Sequence, residues 1–177
     1  MNCAGSLLLK PAHLTTEAEW NQTIEANLTT AYATVRAGAK ALQLTGGSIV
    51  SCATAAARTG FANHEAIAAA EGGVIGLTLS AAATYGPRNI RVNCVAPGLV
   101  DTPLAARITS NEVALTASAA MYALGESGVL TMWRRESHGY STRRTTGSQA
   151  RSWVSTAAWG RFAAASPSSS RNGTKPC

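Results

Sequence analysis

IRVNCVAPG, residues 90–98, is the stretch on which the fold turns. Ile90, Val92 and Val95 make its first seven residues a short apolar run, and Pro97-Gly98 then turns the chain, so it reads as a buried strand running into a loop. Upstream, residues 63–85 are Ala-rich and predict a helix, closed by Gly86-Pro87 because glycine caps and proline cannot continue. Before that helix, Gly46-Gly47 punctuates the chain and SIVSCAT (48–54) reads as a second buried strand. Strand, helix, strand at this spacing is a βαβ unit, which implies a parallel sheet with a right-handed crossover.

Farther toward the N-terminus, Thr16 and Glu19 have the spacing of a capping box, and Trp20, Ile24 and Leu28 recur at helical intervals. A helix over about 16–43 follows, interrupted near Asn27. The 177 residues, 46% hydrophobic, suit one globular domain. No run approaches the roughly 20 consecutive apolar residues that span a bilayer, and no leader pattern opens the chain, so a cytoplasmic protein is expected. The four cysteines are scattered, with neither C-x-x-C spacing nor clustered histidines; a disulfide framework or metal site is not indicated, and Cys52 and Cys94 read as small buried hydrophobes.

The net charge of +6 is uneven. Residues 1–124 carry seven Lys/Arg and seven Asp/Glu, whereas residues 125–177 carry eight Lys/Arg against Glu126 and Glu136. The chain therefore divides into an α/β portion, 1–124, and a basic tail, 125–177, with neither helical nor strand period and rich in Ser, Thr, Arg and Gly; the tail is expected to be disordered or poorly packed.

NCAGSLLLKPAHLTTEAEW, then Asn27-Leu28-Thr29, GGSIVSCAT, and YGPRNIRVNCVAPGLVDTP resemble, in order and spacing, the second half of a short-chain dehydrogenase/reductase over about residues 2–124. The resemblance implies an α/β Rossmann-like, doubly wound parallel sheet, three-layered and incomplete here. It also implies an oxidoreductase ancestry: hydride transfer between NAD or NADP and a carbonyl or alcohol carbon of a small substrate. Family members use a tyrosine as proton donor, a lysine four residues later, a serine and an asparagine. The lysine holds the nicotinamide ribose and lowers the tyrosine pKa.

Position by position, Asn27 matches the asparagine and Thr54 the serine, but Ile67 stands for the tyrosine and Glu71 for the lysine. Isoleucine has no proton to give, and a carboxylate reverses the local field, so the usual relay cannot operate. His64 and Glu65 open the same helix; a histidine could act as acid near neutral pH, while the plainer reading makes both first-turn residues. Thr54 has a plainer reading as a strand-end cap, and Asn27 as a helix-kink residue. Ala66, Ala69, Ala70, Gly72 and Gly73 permit close helix approach, on a face that in this family commonly meets a second subunit. A homo-oligomer through helices 27–43 and 63–85 is expected.

For the cofactor, no glycine-rich phosphate turn occurs in the sequence. Met1–Gly5 matches the end of the family's fourth strand, with Asn-Asn-Ala-Gly altered to Asn-Cys-Ala-Gly, so two βαβ units are expected to be missing upstream. Gly5, Pro97, Gly98 and Thr102 remain as cofactor-binding candidates, the weaker half of such a site. With one sheet face and both edges expected to lack partners, stability should be marginal. LVDTPLAARITSNE would form a lid over the substrate.

The tail has a possible genetic origin. RSWVSTAAWG, back-translated with permissible codons and read two bases later, yields ILGVDGGLG, and TMWRRESHGYSTRR treated likewise yields DVASGIAWLLDPE. Both resemble the family's C-terminal helix and closing strand in the right order, which implies a single-base slip near Gly125 or Glu126. The favoured reading is thus an inactive short-chain-dehydrogenase-like fragment. The alternatives are a dimerising non-catalytic scaffold and, less favoured, a basic tail that grips nucleic acid.

Overall fold

The computed structural model describes residues 1–100, 102–113, 116 and 152–153. α1 (Glu17–Ile24) opens with the expected capping box: Thr16 Oγ1 accepts from Glu19 N–H, and the Glu19 carboxylate accepts from Thr16 N–H. Lys10 pairs with Glu19 at 2.8 Å and, with the Thr16 bonds, holds that carboxyl down at about 2. A π-helical turn, Glu25–Thr29, separates α1 from α2 (Thr30–Ala41), which is the interruption expected near Asn27.

The chain then turns through Gly46, held at φ +65°, into β1 (Gly47–Cys52). The expected strand ends two residues late: Thr54 has left the sheet to cap a 3-10 turn at Ala55–Ala57. α3 (Glu65–Tyr85) follows. Gly86 does not cap it in the left-handed conformation but starts a 3-10 turn, Gly86–Arg88, and Asn89 at φ +58° makes the reversal into β2 (Ile90–Val95). A short helix, α4 (Ala106–Thr109), lies in the segment read as a lid.

β1 and β2 pair in parallel, Gly47 opposite Ile90 through Cys52 opposite Val95, as the βαβ reading requires. Alternate strand residues face the helices. Val35 of α2, Ala81 and Ala82 of α3, and Ile49, Ile90 and Val92 of the sheet form one buried cluster. Ala31, Val74, Ala53, Cys94 and Ala96 form a second, toward the C-terminal ends of the strands. α2 and α3 also pack on each other, so among the described residues the helices form a single layer.

Two expectations need correction. The sheet edges are not bare: Asn2 bridges Ser51 on the outer side of β1, and β3 (Ser152–Trp153) pairs in parallel with Cys94 and Val95 of β2. The rest of the tail lies outside the described residues. Further, Glu65–Arg88 is long and apolar enough to cross a membrane by length and composition, which the count of uninterrupted apolar residues missed because Glu71, Thr78, Ser80 and Thr84 break the run. Here α3 packs on β2 and the π turn as a core helix.

Candidate functional site

Thr54, Pro97 and Gly98 lie in the loops that leave the C-terminal ends of β1 and β2, where parallel sheets of this kind place their sites. Two backbone bonds tie the loops leaving these strands together: Ala53 N–H donates to Val95 O at 2.7 Å, and Ala55 N–H to Pro97 O at 2.9 Å. Pro97 and Gly98 therefore lie against the turn that Thr54 caps. Thr54 Oγ1 accepts from Ala56 N–H at 3.4 Å, and α3 packs against that same turn. Thr102 has a parallel use: its hydroxyl accepts from Ala105 N–H at 3.3 Å and donates to Val100 O at 3.4 Å, capping the turn at Pro103–Ala105.

Asn27 sits within the π turn, only 2% exposed. Its Nδ2 donates to Thr23 O at 2.8 Å, the carbonyl that a regular α-helix would give to the backbone N–H of residue 27. Oδ1 accepts from Ser6 N–H at 2.9 Å, and Nδ2 also reaches Ser6 Oγ at 3.1 Å. The kink thus turns one amide toward the N-terminal segment, and such π insertions recur at functional sites. Gly5 belongs to this contact: a Cβ there would lie 2.7 Å from Asn27 Oδ1. Ser6 was not singled out by the sequence, since its partner stands 21 residues away and only the π turn aims Asn27 at it.

α3 places Ile67 and Glu71 on its buried face together with Ala66, Ala70 and Val74. Ile67 is an ordinary core side chain at 4% exposure. Glu71 differs: its Oε2 is buried and has no hydrogen-bond partner among the described residues. Burial pushes its carboxyl up to about 7, so near neutrality it is about half protonated rather than the fixed anion expected from the sequence. The thiols of Cys52 and Cys94 sense its charge, and burial raises both, Cys94 to about 12. Ser51 Oγ, fully buried on β1, is likewise unpartnered.

His64 is committed locally: its Nδ1 donates to Ala62 O at 2.7 Å and its ring meets Phe61 edge-on at 5.5 Å. Glu65 is exposed in the first turn of α3, as the plainer reading had it. An open cleft of about 330 Å³ lies nearby, between Thr15, Thr16 and Trp20 of the α1 entry and Glu65 and Ala66 of α3; Asn27, Thr54 and Glu71 do not line it. Among the described residues no cluster of His, Cys, Asp or Glu could hold a metal ion.

Comparison with known proteins fits this arrangement. The family model described as enoyl-(acyl carrier protein) reductase matches residues 1–132. A trans-4-hydroxycyclohexanecarboxylate dehydrogenase of Sinomonas cyclohexanicum is 47% identical over 88 residues, 50% of this chain and 34% of that protein. A human (3R)-3-hydroxyacyl-CoA dehydrogenase is 32% identical over 133 residues, 71% of this chain and 51% of that protein. This chain therefore spans between a third and a half of the length of these relatives. Among solved structures, 4-hydroxyisoleucine dehydrogenase complexed with NADH superposes with a TM-score of 0.79 at 23% identity, covering 89% of this chain and 66% of that one, a likeness of fold. Ordered landmarks, the parallel βαβ sheet and a family match over most of the chain lead to one assignment: this chain belongs to the short-chain dehydrogenase/reductase family.

Proposed function

We propose that this chain is the site-bearing segment of a short-chain oxidoreductase that has lost its proton relay and no longer transfers hydride. The observation that carries this is α3: an aliphatic side chain at Ile67, 4% exposed, and a buried carboxyl at Glu71 stand where the resemblance implies tyrosine and lysine. The ancestral substrate class is a small alcohol or carbonyl compound, such as an alicyclic hydroxy acid or a 3-hydroxyacyl thioester, the kinds for which the relatives are named.

The residues present do not fit a nicotinamide ribose. Position 71 offers a desolvated carboxyl instead of a cation, Thr54 and Thr102 use their hydroxyls on backbone turns, and the space beside Gly5 is filled by Asn27 Oδ1. The test is thermal melting with NADH and NADPH, together with turnover of a hydroxycyclohexane carboxylate and a 3-hydroxyacyl thioester. No cofactor-dependent shift and no turnover are expected. Turnover by the unaltered chain that Thr54→Ala abolishes would overturn the proposal.

A scaffold role has its own support: Tyr32 of α2 and Leu79 of α3 are about half exposed, and beside Gly72 and Gly76 a Cβ would meet open space. A second copy packed on these helices would cover them, giving a dimer by light scattering. Tyr32→Glu with Leu79→Glu should return it to a monomer.

A further inference from the structure

The sheet brings together two thiols that lie 49 positions apart in sequence. Asn2 bridges Ser51 in parallel: its N–H donates to Val50 O at 2.8 Å and its carbonyl accepts from Cys52 N–H at 3.0 Å. Carried one step farther along both backbones, that register would set Cys3 opposite Cys52. In-register residues on neighbouring parallel strands project to the same sheet face with their backbones about 5 Å apart, inside the Cα separation of roughly 4.4–6.8 Å that a disulfide bridges. Cys3 is exposed and Cys52 partly so, whereas Cys94 is fully buried among the helix-facing residues. Strand alternation puts Cys52 on the other face from Ser51 and its neighbour Cys94, which removes Cys94 as a competitor.

We propose that Cys3 and Cys52 form a redox-responsive thiol pair, which a low-molecular-weight disulfide such as glutathione disulfide converts to an intramolecular disulfide. The exposed Cys3 is the entry thiol. Its thiolate attacks one sulfur of the small disulfide, the S–S bond breaks, and one small thiolate leaves and takes up a proton. Cys52, losing its own proton, then attacks the Cys3 sulfur of the mixed disulfide and expels the second small thiol. Two protein thiols are oxidised and one small disulfide is reduced to two thiols. Burial holds both protein thiols above their ordinary pKa, so the exchange accelerates as pH rises. The bond would pin to β1 the segment Cys3–Ser6, whose far end Asn27 already holds.

The test uses the full chain carrying Cys177→Ser, so that the tail thiol does not compete, incubated with glutathione disulfide at mildly alkaline pH. Non-reducing digestion and mass spectrometry should recover a Cys3–Cys52 linked peptide. The melting temperature should rise and fall back on addition of dithiothreitol. Cys3→Ser, an exposed change that leaves the core intact, should abolish both the link and the rise. Persistent glutathione on Cys3 with Cys52 free, links only between separate chains, or no oxidation at all would each overturn the proposal.

Discussion

Glu71 is the residue whose chemistry changed most between sequence and structure. On paper it is an acid replacing a base; in the fold it is a carboxyl with a partnerless oxygen among the core residues of α3, and the titratable groups that sense it are the thiols of Cys52 and Cys94. Its pKa is raised from 4.5 to about 7 by burial, so the folded state favours the protonated form. The stabilising contribution is complete below pH 4.5 and is lost as pH rises through about 7. Both thiols stay neutral across this window and do not mask it. The full shift corresponds to about 3 kcal/mol. Urea midpoints should therefore fall between pH 4.5 and 7 and level off above, and Glu71→Gln should flatten that profile. A wild-type midpoint independent of pH would show that Glu71 is not held neutral.

Asn27 makes the complementary argument. Its residue type was legible, and the structure explains its burial by three hydrogen bonds, to Thr23 and twice to Ser6. Asn27→Ala strips a buried carbonyl and amide of their partner and should cost about 1–3 kcal/mol, measurable as a lower urea midpoint. Gly5→Ala should cost a similar amount by forcing Oδ1 away. Thr54 and Thr102 show why the site was only partly readable: a hydroxyl at a strand end is equally suited to a substrate oxygen or to a backbone cap, and pattern alone does not choose.

At the scale of elements, the capping box, the two strands and α3 were legible because each has a local signal: reciprocal side-chain caps, β-branched runs, a long Ala-rich segment. α3 ends at Tyr85, where Gly86-Pro87 placed its stop; the cap is what differs, since Gly86 opens a 3-10 turn and left-handed Asn89 takes the role assigned to glycine. The packing of α3 separates its glycines. A Cβ on Gly73 would meet Leu28 Cδ2 of the π turn at 2.8 Å, while nothing lies within 4 Å of one on Gly76. Gly76→Ala should raise stability by about 0.5–1 kcal/mol through helix propensity. Gly73→Ala should lower it by about 1–3 kcal/mol by wedging α3 off Leu28. Equal effects at both positions in thermal melts would mean that the α3–π-turn contact is looser than the geometry indicates.

For the whole molecule, pairing decided what periodicity could not. Which edges of the sheet are covered depends on contacts between Asn2 and Ser51 and between Ser152–Trp153 and Cys94–Val95, all remote in sequence. The scattered cysteines looked unrelated for the same reason. Ser152 and Trp153 fall inside RSWVSTAAWG, the stretch that in a shifted frame resembles the family's closing strand, and they supply the backbone beside β2. A strand edge left without a partner offers its N–H and C=O groups to other chains. Cys94 and Val95 are at most 1% exposed, so uncovering that edge also bares apolar surface. A chain ending at residue 150 should therefore self-associate at concentrations where the full chain does not, seen as a rising mass by light scattering. Should the shortened chain keep the mass of the full one, β3 is dispensable and the edge of β2 is protected by other means.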